Sequence, residues 1–444
     1  MIAFLKGYSY MTNVFLNKNI KQLIRMSLYE RQKKYWEKRR KENEDIIPHP
    51  NLARLKRQVI NILRRIVCAV LIPFWKKYRK DTPFSLDDIS SILLVRNDAI
   101  GDMVVTTSLI RKLKQLKPSL RIGIGCSSRN ISLLDEDPAI AKVYNFSYDK
   151  WSLLWKELKR ARRDGWDLAI NCVFVPRTRG AIICRFVVKK GLTGTLTRTR
   201  TDRYKNLYSA CFQLVSEPYP IPYSEQVCSL VPQLFGFECT GEELRPSLKL
   251  SEERVKFVCN DMSRFMAENG ARAAVHINVE AANELREWGI DNIFAFCDRV
   301  HVVRPDVVFL LTSSPFYSQE IKDRIEGHHD RRIRYYPTKH ILDLVALIRC
   351  VDVVLSPDTS VIHMASAERK PTVGFFFYRS EWLPYKVPSK IFHPMLGMGV
   401  STLPVEPVAE AVLGFLPPGS EEDTELGVSL LSHASEKADK ADAE

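Results

Sequence analysis

Two short stretches carry the residue types most able to do chemistry. The first is Arg96-Asn97-Asp98-Ala99-Ile100-Gly101-Asp102, and the second is Ser356-Pro357-Asp358-Thr359-Ser360-Val361-Ile362-His363. Each follows a β-type apolar run and opens a helical pattern, the junction where α/β proteins bind ligands. A carboxylate from each could hold a substrate between two similar domains. Asp102 fits two roles: a cap for unpaired helix N–H groups, or a general base aimed into a cleft. Asp98 could share a proton or a cation with it, or serve only as a loop residue. Gly101 is expected to let the chain turn sharply after the first strand.

The second stretch reads as an anion site, because free N–H groups and the positive helix end favour a diphosphate there. Asp358 would repel phosphate, so bonding to sugar hydroxyls suits it better. His363 lies one turn into the helix, on the face of Ser360. A capped helix start with a packed histidine explains the same residues without chemistry. Arg286, in Glu284-Leu285-Arg286-Glu287-Trp288, could neutralise a leaving phosphate or be an ordinary surface arginine. A G-x-x-x-x-G-K-[ST] phosphate loop is absent. Gly123-Ile124-Gly125 falls inside a strand, not a strand–helix turn, which disfavours a dinucleotide site. Asp135-Glu136-Asp137 resembles a metal-binding triplet, but Pro138 follows and a cap or loop role fits better. No metal site is expected.

The elements that must position these residues alternate β and α from Ile89 onward. Strands are predicted at 91–95, 121–126, 142–144, 168–171, 273–277, 307–311, 332–335, 353–355 and 372–376. Helices are predicted at 102–117, 151–163, 203–215, 225–235, 290–303, 340–349 and 360–369. Residues 236–250, with two glycines, a proline and little periodicity, mark a boundary. The expected organisation is a basic helical extension at 1–85, an N-terminal Rossmann-like domain at 86–240, a C-terminal one at 250–418, and a disordered acidic tail at 419–444.

The 444 residues, 45% of them apolar, suffice for two domains and more. Charge is uneven: residues 1–90 hold 20 Lys and Arg against 8 Asp and Glu, and residues 419–444 hold 8 acidic against 2 basic. In 51–80, Leu52, Leu55, Val59, Ile62, Leu63 and Ile66 space out a helix face among arginines and lysines, and Lys76, Lys77, Arg79 and Lys80 follow Phe74-Trp75. Such a segment suits an anionic membrane surface, or packs as a solvated helical extension. Phosphate attraction alone does not separate lipid from nucleic acid, but no nucleic-acid motif accompanies the charge, so none is expected as a partner. The longest early apolar run, Ile66 to Trp75, spans 10 residues and contains Pro73, short of the roughly 20 needed to cross a bilayer. No secretory signal is visible. The 10 cysteines include no C-x-x-C pair; buried reduced thiols of a cytosolic protein are expected, and structural zinc has poor support.

Taken together, ILLVRNDAIGDMVVTTSLIRKLKQLKP and VDVVLSPDTSVIHMASAERKPTVGFFF resemble glycosyltransferase family 9, the lipopolysaccharide heptosyltransferases. The resemblance runs from about Ile89 to Leu416 and implies a GT-B fold, two Rossmann-like domains facing a cleft. It implies that Asp102 is the catalytic base, that Arg286 contacts the donor diphosphate, and that Asp358 holds the donor sugar. Thr359, Ser360 and His363 match the phosphate-binding helix start, and Glu320 an acidic residue near the ribose. Ser360 stands where glycine is frequent, and Asn278 to Asn283 lacks the usual Pro-Gly. The basic leader lies outside the family core.

The resemblance further implies an inverting, metal-independent transfer with no cofactor. Its donor would be a nucleotide sugar, ADP-heptose, and its acceptor the inner core of lipid A. Arg96, Arg177, Arg179 and Arg185 are candidates to meet acceptor phosphates or carboxylates. The expected location is cytoplasmic, peripheral on the inner face of the cytoplasmic membrane of a Gram-negative-type cell. Alternatives are a GT-B transferase for another nucleotide sugar, or a non-catalytic membrane-surface protein of the same fold.

Overall fold

The computed structural model describes residues 83–419 apart from 148–149, 176, 189–190, 197–207, 217–221, 316, 378–381 and 397, together with Gln58, Val59, Ile62, Leu63, Ile66 and Val70. The acidic tail and most of the basic extension expected from the sequence lie outside these residues.

The first half is an all-parallel sheet of β1 (Ser91–Arg96), β2 (Arg121–Cys126), β3 (Ile140–Asn145), β4 (Leu168–Asn171), β5 (Leu192–Leu196) and β6 (Leu214–Ser216), in the order β3-β2-β1-β4-β5-β6. The second half repeats the arrangement with β7 (Ala273–Asn278), β8 (Val307–Thr312), β9 (Ile333–Tyr335), β10 (Val353–Pro357), β11 (Thr372–Phe375) and β12 (Ser389–Phe392), ordered β12-β11-β10-β7-β8-β9. The helices are α1 (Ile100–Leu116), α2 (Trp151–Asp164), α3 (Thr178–Val187), α4 (Tyr223–Cys228), α5 (Leu230–Phe235), α6 (Glu252–Glu268), α7 (Ile290–Val303), α8 (Ser318–His328), α9 (Ile341–Cys350), α10 (Ser360–Ala367) and α11 (Val405–Leu413). This is the doubly wound order of a Rossmann-like domain, present twice. The fold is GT-B. In each sheet the strand order reverses at the centre, between β1 and β4 and between β7 and β10, and there the strand ends leave room for a ligand.

Both faces of each sheet are covered, so β1 and β8 are buried at every position, and Ile92–Val95 and Val307–Leu311 read as unbroken apolar runs. The two glycines in β2 serve close packing: a Cβ at Gly123 would collide with Trp166, and one at Gly125 with Phe146. One apolar cluster runs through both halves, joining Val104 and Ile110 of α1 to Val345 of α9 and Met364 of α10. Helices α1 and α10, which open at the two motifs, pack against each other.

Several elements depart from the sequence expectation. Residues 214–216 form strand β6 where a helix over 203–215 was expected. β5, with the sequence LTGTL, is polar and carries a glycine, and β12 is an exposed edge; neither has the apolar run that announces a strand. The helix expected over 225–235 is two short ones meeting at Ser229. Cys259 and Cys350 are joined in a disulfide, with Cα atoms 5.6 Å apart across 91 residues of sequence. Uniformly reduced thiols were expected because that pairing has no local signature. It arises only because α6 packs on α9. Six of the remaining described cysteines are buried thiols.

Candidate functional site

The C-terminal ends of the two sheets face one cavity of about 940 Å³. Gly101, Asp102 and Arg129 line it from the first half; Asn278, Glu280, Arg286, Asp358, Thr359, Ser360, His363 and Trp382 line it from the second.

On the first wall, Asp102 sits in the opening turn of α1, but the cap position belongs to Ala99 and no side chain caps the helix. The Asp102 carboxylate instead meets Arg96, Nη2 to Oδ1 at 2.8 Å. Arg96 is fully buried. Its Nε donates to the Asp102 carbonyl at 3.0 Å, its Nη1 donates to the Cys172 carbonyl, and its guanidinium lies 4.5 Å from the centre of the Phe174 ring. A side chain so enclosed at the end of β1, reaching across the reversal to the residue after β4, presents no surface to an acceptor. The expectation that Arg96 binds acceptor anions is therefore corrected: it fixes Asp102. Asp98 lies beside the same guanidinium, 3.4 Å from Arg96 Nε. Burial, opposed by Arg96 and reinforced by the Asp102 charge, raises the Asp98 carboxyl to about 6.

Gly101 does not adopt a left-handed backbone. Its lack of a side chain serves a different need: a Cβ there would stand 2.9 Å from His363 Cδ2, so this glycine lets the two motifs touch across the cleft. His363 is buried at that contact, its ring 5.2 Å from that of Trp382. Burial, helped by the nearby Arg96 charge, pushes its pKa down to about 4, so the ring is neutral.

On the second wall, Thr359 caps α10, its hydroxyl accepting from the Val361 N–H at 3.3 Å. Asn278 Nδ2 at the end of β7 donates to Thr359 Oγ1 at 3.2 Å, tying the two central strand ends together. Arg286, in a short 3₁₀ turn, forms an ion pair with Asp358 Oδ2 at 2.5 Å and also donates to the Asp358 carbonyl. Each member keeps about a quarter of its side chain exposed (24% for both), so the pair can open toward a ligand. Burial raises the Asp358 carboxyl, against the opposing effect of Arg286.

The other expected residues scatter. Arg185 is buried and donates to the Gly191 carbonyl at 3.3 Å, so its expected acceptor role is corrected: α3 turns it inward against the sheet. Arg177 and Arg179 are exposed at the start of α3, outside the cavity lining. Glu320, expected beside a ribose, is exposed in the first turn of α8 and lies outside the cavity lining. Glu280 occupies the cavity instead, accepting from the Ser314 hydroxyl at 2.8 Å, with its carboxyl raised chiefly by burial. Asn278 and Glu280 carry no local motif; their signal is their place at and just after the end of β7, the strand beside β10. Asp135 meets His340, and Glu136 and Asp137 form ion pairs with Arg254 and Arg111, so the acidic triplet is engaged within the protein, two of these contacts reaching the second half. Among the described residues, no cluster of three or more His, Cys, Asp or Glu could hold a metal. None of their helices is long and apolar enough to cross a membrane.

The arrangement sets a carboxylate on one wall against a cation and a helix N-terminus on the other, suited to taking a proton from one substrate while stabilising negative charge leaving another. The profile described as glycosyltransferase family 9 (heptosyltransferase) matches residues 154–392, more than half of the chain. A lipopolysaccharide core heptosyltransferase, OpsX of Haemophilus influenzae, is 23% identical over 317 residues, 67% of this chain and 82% of that protein. A glycosyl transferase family 9 structure from Veillonella parvula aligns with a TM-score of 0.62 at 13% identity, covering 76% of this chain and 99% of that one. The E. coli ADP-heptose lipopolysaccharide heptosyltransferase II aligns at 0.58 with 17% identity, covering 73% and 98%. E. coli heptosyltransferase WaaC, solved with ADP, also aligns at 0.58, with 14% identity over 73% and 99%.

Proposed function

We propose, for a chain that belongs to glycosyltransferase family 9 (heptosyltransferase), an inverting transfer of heptose from ADP-heptose to the inner core of lipid A. The observation that carries the reading is the single cleft in which Asp102 faces Arg286, Asp358 and the start of α10. Asp102, held by Arg96, takes the proton from an acceptor hydroxyl. Arg286 turns from Asp358 to the donor diphosphate, and the α10 N-terminus adds its positive end. Asp358, released from part of its ion pair, accepts from sugar hydroxyls. Attack from the face opposite the leaving nucleotide inverts the anomeric centre. The role given to Asp102 rests on its place in the cleft and on the motif around it, since residues 1–153 lie outside the family match.

The extension supplies contact with an anionic membrane face. Val59, Ile62, Ile66 and Val70 are helical, each with roughly half its surface exposed (47–56%), and their spacing puts them on one face. Arginines and lysines alternate with them in sequence. Each such cation contributes about 1 kcal/mol at a surface of anionic lipid.

The test is nucleotide release by purified protein with ADP-heptose, UDP-sugars and GDP-sugars, each with and without a lipid A inner-core acceptor. ADP release that requires the acceptor is expected. Release from a UDP- or GDP-sugar alone would move the donor assignment, and no release from any donor would end the enzymatic reading.

A further inference from the structure

Two carboxylates meet one guanidinium behind the first wall of the cleft, and of the three only Asp102 lines the cavity. Arg96 bonds Asp102 at 2.8 Å and stands 3.4 Å from Asp98 Oδ1. The guanidinium has no exposed surface, and the two carboxylates keep 24% and 15% of theirs, so solvent screens these pairs only in part. Asp98 Oδ1 is buried and has no hydrogen-bond partner. A buried carboxylate oxygen left without a donor is costly, and capping does not account for it, because Ala99 is the cap residue of α1.

We propose that Asp98 and Asp102 act as a carboxylate pair whose combined charge, set against the single Arg96 cation, draws the proton from the acceptor hydroxyl. The proposal rests on Asp102 as the base in the reading above and adds a second carboxylate to it. With both carboxylates ionised, the three groups carry one excess negative charge. With Asp98 protonated, Asp102 is matched by Arg96 and that excess is gone. In a partly buried site, one unit charge at this range is a large effect.

The surrounding groups leave this balance in place. Arg177, before α3, adds a positive charge that lowers the Asp98 carboxyl, but it is exposed and screened by solvent. His363 on α10 is neutral, pushed down to about 4 by burial. The Cys172 thiol after β4 is pushed up to about 12 by burial and is also neutral. Asp98, raised to about 6 chiefly by burial, then sets the working range. The pair is charged, and the base active, above that pH; activity is lost as pH falls through it.

The experiment has two arms. In the first, wild-type turnover is followed from pH 5 to 8.5 and is expected to rise through an inflection near 6 to a plateau. Asp98→Asn holds the pair in its neutral state, so its plateau falls by about tenfold or more, as for one pKa unit of lost driving force, and the inflection near 6 disappears. Asp98→Glu restores most of both. Melting curves confirm folding, and Asp98→Ser replaces the Asn variant should that one unfold.

The second arm needs no substrate: the ¹³C-carboxyl titration of Asp98 is followed in wild type and in Asp102→Asn. Loss of the neighbouring charge is expected to move the Asp98 midpoint downward. If wild type transfers nothing while this shift occurs, the transfer reading falls and the coupled pair stands. Retention of the wild-type plateau and inflection by Asp98→Asn, or an Asp98 midpoint indifferent to Asp102→Asn, overturns the proposal.

Discussion

The two halves repeat one topology, and each places an arginine–aspartate pair at its central reversal, yet the pairs are built for different work. Arg96 in the first half is wholly enclosed, held by Asp102, two backbone carbonyls and the Phe174 ring. Arg286 in the second half meets Asp358 with about a quarter of each side chain still open. A sealed pair fixes a geometry; an open pair can exchange its partner for a ligand. The comparison separates a residue that positions the base from one available to a diphosphate, although both are arginines beside an aspartate near a helix start.

Breaking the base should have the largest effect. Asp102→Asn is expected to lower turnover by about 10²–10⁴, the range for a positioned acid or base, with its melting curve near wild type; a folded variant with wild-type turnover would remove Asp102 from the chemistry. Removing the open cation comes next. Arg286→Ala should cost about 10²–10³ in turnover, as for one preorganised donor, and leave the melting temperature close to wild type. Unchanged kinetics would make this arginine a surface residue.

The sealed pair should answer in stability instead. Arg96→Met leaves Asp98 and Asp102 without their buried partner and is expected to cost about 3–5 kcal/mol in denaturant unfolding. If Arg96→Met and Arg286→Ala destabilise equally, the distinction between sealed and open pairs fails. The smallest effect on the cleft should come from deleting residues 1–80: weaker sedimentation with phosphatidylglycerol vesicles, and turnover on a soluble truncated acceptor within about twofold of wild type, well under the roughly tenfold of 1.4 kcal/mol. Equal vesicle binding by both forms would dismiss the extension as a lipid contact.

Much of this was legible along the chain. Apolar runs marked β1, β2, β7, β8 and β10, because strands buried on both faces are predominantly apolar. The two motifs marked the strand–helix junctions. β5, β6 and β12 were not legible, because they are short, polar or at an edge, and neighbouring strands hold them by pairing.

By itself, then, the sequence determined an α/β chain of two alternating halves, and it singled out Asp102, Arg286 and the run from Asp358 to His363, because strand and helix periodicities and junction residues are local properties. Tertiary structure alone decided which arginine is sealed and which open. It turned Arg185 inward, put Glu280 rather than Glu320 in the cavity, and joined Cys259 to Cys350. It also gave Gly101 its reason, the close approach of His363 from the other half. Each of these depends on a neighbour distant in sequence, and burial and ion pairing are set by such neighbours.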